Sequence, residues 1–71
     1  MINNLVFRNR LKVARAEKNL SQAELASLAE VTRQTISTIE TGQYCPSAKL
    51  ALILAKKLNK NFEDLFYLEE E

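Results

Sequence analysis

The only glycine and the only proline of this chain, Gly42 and Pro46, lie four residues apart. Glycine and proline are the strongest punctuators of local structure, so one real turn region is marked there. The remaining sequence is dominated by residues that favour helices joined by short connections. The expectation is therefore an all-α, compact five-helix arrangement forming one domain over residues 1–71.

The helix boundaries follow from caps and apolar spacing. A first helix is expected from about Asn9 to Lys18, with Leu11 and Ala14 on one face. Ser21-Gln22-Ala23-Glu24 has the form of a capping box, in which the serine hydroxyl and the glutamate carboxylate each accept from the other residue's backbone N–H. It opens a second helix with Leu25, Leu28 and Ala29 at helical spacing. Glu30-Val31 breaks that pattern, and Thr32 is an N-cap for a third helix that turns Ile36 and Ile39 inward and ends before Gly42. Ser47, after Pro46, caps a fourth helix running to about Leu58 or Asn59. Asn61 is expected to cap a short fifth helix holding Phe62, Leu65 and Phe66. The segments Ile2 to Phe7 and Phe66 to Glu69 carry β-branched and aromatic residues. They are compatible with a short antiparallel pair or with frayed ends.

Composition excludes several classes. With a single cysteine, Cys45, and no histidine, the chain has neither a disulfide framework nor a zinc-ligand set, so no metal is expected. A lone thiol fits a reducing, cytoplasmic setting. No secretory leader is expected, because the apolar start reaches Arg8 too soon. The longest apolar run, Leu50 to Ala55, is far short of the roughly 20 residues of a membrane span. There is no Gly-rich phosphate loop and no nucleophile with an adjacent base, so no catalytic residues, cofactor or small-molecule ligand are assigned. The net charge is only +1, yet Arg8, Arg10, Lys12, Arg15 and Lys18 crowd the first 18 residues against Glu17 alone. Glu69-Glu70-Glu71 closes the chain, and without those three carboxylates the charge would be +4. A basic face can therefore meet phosphates while the acidic tail sits elsewhere.

The third helix is unusual for a surface helix. Arg33, Gln34, Thr35, Ser37, Thr38 and Thr41 surround Ile36 and Ile39, where Glu and Lys would be the better helix formers. Such a face suits base edges: Arg reads guanine O6 and N7, Gln reads adenine, and a Thr methyl meets the thymine methyl. A turn of about three residues joins it to the second helix, which makes a helix-turn-helix over about residues 21–42, with the recognition helix at about 32–41.

Leu20-Ser21-Gln22-Ala23-Glu24-Leu25-Ala26, Val31-Thr32-Arg33-Gln34-Thr35-Ile36-Ser37-Thr38-Ile39-Glu40-Thr41-Gly42 and Tyr44-Cys45-Pro46-Ser47, in that order, resemble the lambda-repressor/Cro-like (Xre-type) helix-turn-helix family. The closest likeness is to its small stand-alone class, which includes a cytolysin-operon repressor. The resemblance spans about residues 9–67 and implies a sequence-specific double-stranded DNA-binding transcription regulator, a homodimeric repressor on an inverted-repeat operator. It implies that Gln22 bonds a phosphate and braces the recognition helix. It places Arg33, Gln34 and Thr38 at base-reading positions, Thr32 and Thr35 at phosphate or thymine contacts, and Arg10 near backbone phosphate. Arg15 and Glu40 match a structural ion pair. Tyr44 is a candidate phosphate donor in a loop that, unlike many relatives, has no Lys or Arg just after Gly42. Glu30 stands where many relatives have Gly, so it is expected either to adopt the left-handed region or to alter the turn.

The fourth helix carries more apolar surface than one small core needs. Leu50, Ile53, Leu54 and Leu58 form one stripe and Ala48, Leu52 and Ala55 a second. Leu52, Ala55, Phe62, Phe66 and Leu68 are therefore the candidate dimer surface. The competing reading is an interaction module that keeps the fold without reading DNA.

Overall fold

The computed structural model describes residues 4–70. Its elements are β1 (Leu5–Asn9), α1 (Leu11–Glu17), α2 (Gln22–Ala29), α3 (Arg33–Glu40), α4 (Ala48–Lys57), α5 (Phe62–Leu65) and β2 (Phe66–Glu70). The five helices match the expectation, but the chain is not all-α. β1 and β2 pair antiparallel, with Leu5 opposite Glu70 and Asn9 opposite Phe66. Ile2, the start of the expected strand segment, lies outside the described residues.

The caps explain where the helices begin. Ser21 Oγ accepts from the Glu24 N–H at 3.0 Å, and Glu24 Oε1 accepts from the Ser21 N–H at 2.7 Å. Thr32 and Ser47 accept from the backbone of Thr35 and Leu50 in the same way. Asn61 occupies the N-cap position of α5, but its side chain makes no cap bond. Asn9 does not begin a helix. It ends β1, and its Oδ1 accepts from the Leu11 N–H at 3.0 Å.

One device ends the four longer helices. Asn19, Glu30, Gly42 and Asn59 all have φ between 55° and 83°. Each left-handed residue turns the chain so that the next N–H reaches back into the last helical turn: Leu20 to Arg15 O, Val31 to Ala26 O, Gln43 to Thr38 O and Lys60 to Ala55 O. Gly and Asn tolerate this conformation, whereas a glutamate pays a steric cost of about 1–2 kcal/mol.

The core draws on every helix. Leu11, Leu25, Ile36, Ile39, Leu54, Leu58 and Leu65 are fully enclosed, each stabilising the fold by about 1.5–3 kcal/mol through removal from water. Two apolar positions depart from the sequence pattern. Leu28 is exposed, and Ala26 is buried instead, with Leu25 and Ala29, on the side of α2 that packs towards α3 and α4.

The ribbon has two unlike faces, as strand alternation requires. On one, Phe7 stacks on Phe66 with ring centroids 5.6 Å apart, and Phe62 of α5 packs on the other side of Phe66 at the same separation. On the opposite face Arg8 pairs with Glu69 at 3.1 Å, and the Arg10 guanidinium lies 4.3 Å from the Tyr67 ring centroid. The acidic end is thus no loose tail as far as Glu70, and Glu71 lies outside the described residues.

Glu30→Gly is expected to stabilise the protein by about 0.5–1 kcal/mol, the relief of left-handed strain exceeding the entropy lost by a more flexible unfolded chain. Urea denaturation of the two proteins side by side measures it.

Candidate nucleic-acid interface

Helices α2 and α3 pack through Leu25, Ala26 and Ala29 against Ile36 and Ile39, and the joint between them is Glu30, Val31 and the capping Thr32. Because Ile36 and Ile39 face inward, the opposite side of α3 is presented to solvent. Arg33 and Gln34 are exposed on its first turn.

The hydrogen bonds divide this polar face into two kinds of group. All four threonine hydroxyls from Thr32 to Thr41 are engaged locally. Thr32 Oγ1 accepts from the Thr35 N–H at 3.2 Å and lies 3.0 Å from Thr35 Oγ1. Thr38 Oγ1 lies 3.0 Å from the carbonyls of both Gln34 and Thr35, and Thr41 Oγ1 donates to Thr38 O at 3.2 Å. These threonines therefore present methyl groups and remaining lone pairs outward. Arg33 and Gln34, by contrast, have no side-chain hydrogen bond or ion pair among the described residues, so their donors are free.

Beside this face runs an open cleft of about 360 Å³ lined by Gln34, Thr35, Thr38, Gln43 and Tyr44. Its far wall is held in place because the backbone N–H groups of Gln43 and Tyr44 both donate to Thr38 O, at 2.9 and 3.1 Å. Gln43 was not singled out by the sequence, where only its lack of charge registered. Its place follows from the left-handed Gly42 immediately before it.

Behind the exposed face lies a network around Glu40. Arg15 Nε and Nη2 donate to the two oxygens of Glu40 at 2.7 and 3.2 Å, and Arg15 Nη1 donates to Leu20 O at 2.8 Å. Gln22 Nε2 donates to Glu40 Oε1 at 3.0 Å. The Glu40 side chain is only 4% exposed and that of Arg15 14%. The bond to Glu40 raises the Arg15 guanidinium above its ordinary value, and its burial only partly opposes this. Stability from a group raised in this way is fully present below its unfolded value, so Arg15 keeps its contribution throughout the working pH range. A second link was missed by the sequence reading: Asn9 Nδ2 donates to Ile39 O at 2.9 Å, tying the end of β1 to the end of α3. The only signal for it was a polar residue just before a helix.

The structure thus brings Gln22, Thr32, Arg33, Gln34, Thr35, Thr38 and Tyr44 to α2, α3 and the loop that follows. Arg10 is not part of this set. Its guanidinium is stacked on Tyr67 of β2, and its backbone N–H donates to Leu65 O at 2.8 Å.

The candidate dimer surface separates likewise. Leu52 and Leu68 are 57% and 60% exposed and Phe62 is 37% exposed, but Ala55 and Phe66 belong to the core. Ala55 shares the inward side of α4 with Ala51 and Leu58, and Phe66 is enclosed between the rings of Phe7 and Phe62. Leu5 and Phe7 take their place, since strand alternation puts both on the same ribbon face as Leu68 and both are exposed. Among the described residues no group of three or more His, Cys, Asp or Glu is placed to hold a metal ion, and no helix is long and apolar enough to cross a membrane.

A family profile described as helix-turn-helix matches residues 11–65. An uncharacterized HTH-type transcriptional regulator of Bacillus subtilis, YgzD, is 45% identical over 65 residues, covering 92% of this chain and 98% of that protein. An uncharacterized HTH-type transcriptional regulator of Methanocaldococcus jannaschii is 47% identical, with the same coverage of 92% and 98%. Among solved structures, the restriction-modification controller protein C.AhdI from Aeromonas hydrophila superposes with a TM-score of 0.73 at 34% identity, over 78% of this chain and 80% of that one. The clp gene regulator ClgR from Corynebacterium glutamicum gives a TM-score of 0.72 at 28% identity, over 76% of this chain and 57% of that one.

Glu40→Ala strands a largely buried guanidinium, and its expected cost is about 3 kcal/mol, at the lower end for such pairs because Arg15 retains some solvent contact. Gln22→Ala removes one hydrogen bond to the same carboxylate and is expected to cost about 1–1.5 kcal/mol. Denaturant midpoints at constant slope measure both.

Proposed function

The chain belongs to the Xre/Cro-like helix-turn-helix family of transcriptional regulators, whose members bind double-stranded DNA, and we propose that it acts as a homodimeric repressor on an inverted-repeat operator. The reading rests on one observation above all: the threonine hydroxyls from Thr32 to Thr41 all make local hydrogen bonds, whereas the Arg33 and Gln34 side chains make none among the described residues. Free donors on the first turn of a recognition helix are the groups that can pair in a bidentate manner with guanine O6 and N7 and with adenine N6 and N7. Thr38 then offers a methyl group to thymine. Gln22, Thr32, Thr35 and Tyr44 serve as phosphate-side contacts that fix register without reading sequence.

The dimer reading is supported by the exposed apolar residues Leu5, Phe7, Leu52, Phe62 and Leu68. A chain of this length buries about 60% of the surface its unfolded form exposes, less than a larger domain does, and a twofold partner adds to its stability. Two recognition helices on one side of such a dimer would enter successive major grooves about 34 Å apart. One half-site alone discriminates poorly, because each wrong base pair costs only about 1–3 kcal/mol. Occupation of a promoter then blocks polymerase sterically.

The test is a random-sequence selection followed by titration of the enriched duplex and a scrambled one, with circular dichroism to confirm folding. Wild type is expected to prefer the enriched, inverted-repeat duplex by about 10³-fold, and folded Arg33→Ala and Gln34→Ala proteins are expected to lose most of that preference. Equal, merely salt-sensitive binding to both duplexes would overturn the reading. Leu52→Glu with Leu68→Glu is expected to shift the sedimentation of the free protein to the monomer and to weaken the full operator far more than a half-site. An unchanged sedimentation profile would remove this surface from the dimer.

A further inference from the structure

On the side of the molecule formed by the end of α2, the joint and α4 lies a groove of about 590 Å³. Its apolar lining consists of Leu28, Ala29, Val31, Leu50 and Ile53. Three of these pack on the core from a half-buried position, while Leu28 is 43% exposed with no covering partner among the described residues. Arg33 and Gln34 do not line the groove. Helical spacing puts Leu50, Ile53 and Lys57 on one side of α4 and Leu52 on another, so the groove is separate from the surface proposed for dimerisation.

Two cations flank this apolar strip. Lys49 and Lys57 both line the groove, and neither forms a salt bridge among the described residues. They stand eight residues apart on α4, about 12 Å along its axis. Two carboxylates flanking an apolar residue match this spacing, since acidic positions four apart in an extended segment span about 13 Å. Glu30, the one acid of the lining, repels carboxylates on the joint side and directs them towards α4.

We propose that this groove docks a short acidic segment of a partner protein, seating an apolar side chain on Leu28, Leu50 and Ile53 and setting two carboxylates against Lys49 and Lys57. Exposed ion pairs contribute little affinity individually, so the apolar anchor supplies the attraction and the lysine spacing selects the partner. The inference goes beyond base reading and does not depend on it.

A library of short random peptides displayed on phage, selected against the full-length chain, tests it. The enriched peptides are expected to carry two acidic residues around an apolar one. A synthetic copy of the best is expected to lose at least about tenfold in affinity for the Lys49→Glu, Lys57→Glu double variant and for Leu28→Ser, and to bind Arg33→Ala as it binds wild type. Circular dichroism of each variant accompanies the titrations. Should Leu28→Ser unfold the domain, the double variant decides alone, because both of its positions are exposed. The proposal is overturned if nothing is enriched, if the enriched peptides are basic, or if binding ignores the charge reversal. It is equally overturned if laurate occupies the groove when no peptide does, or if charge reversal acts only by weakening duplex DNA, which would assign the lysines to phosphate.

Discussion

Glu40 is the point at which three helices are fastened together. Its two oxygens receive Arg15 from α1 and Gln22 from the start of α2, while its own backbone closes α3. Because the carboxylate is nearly enclosed, it is a deep energetic commitment: each oxygen must be satisfied or the charge is stranded in a poor solvent. The geometry that satisfies it also sets the angle at which α3 leaves the body of the molecule. The positions of Arg33 and Gln34 are thus decided at the far end of their helix, by residues that face away from solvent. The third hydrogen bond of the Arg15 side chain, from Nη1 to Leu20 O, links the same network to the turn that precedes α2.

Much of this frame was legible in the sequence, for local reasons. Capping boxes and N-caps depend on residues three positions apart, so Ser21, Thr32 and Ser47 declared their helices directly. Gly42 declared its left-handed turn for the same reason. Glu30 was conspicuous as a residue poorly suited to that conformation, and it adopts it nonetheless, at φ 60°, as the C-cap of α2. Asn19 and Asn59 perform the same task without having drawn notice, since asparagine at a helix end is compatible with several turns.

What the sequence did not disclose depends on partners distant along the chain. The strand pairing required the two ends to meet, and neither end carries the information that the other will be there. Ala55 and Phe66 look like surplus apolar surface when α4 and the end of the chain are read alone. In the folded molecule the first is consumed by the core, and the second lies between two rings supplied by β1 and α5. Arg10 gains a tertiary contact that its position along the chain does not reveal: its guanidinium lies over the Tyr67 ring while the residue stays exposed. Leu28 fails in the opposite sense, because a correct helical period says which residues share a side and not how far a neighbour extends to cover them.

The ribbon joins residues as far apart as Leu5 and Glu70, at opposite ends of the described chain, whereas the packing of α2 on α3 links close neighbours in sequence. The loop-closure entropy of such a distant pairing is recovered only after the helices have shortened the path between the ends. The ribbon, and the Phe7–Phe66–Phe62 contacts with it, therefore depend on helices that bring the two ends of the described chain together. The exposed apolar residues of the ribbon, Leu5, Phe7 and Leu68, are accordingly brought side by side only when the strands pair, so a chain with its ends apart does not present them as one patch.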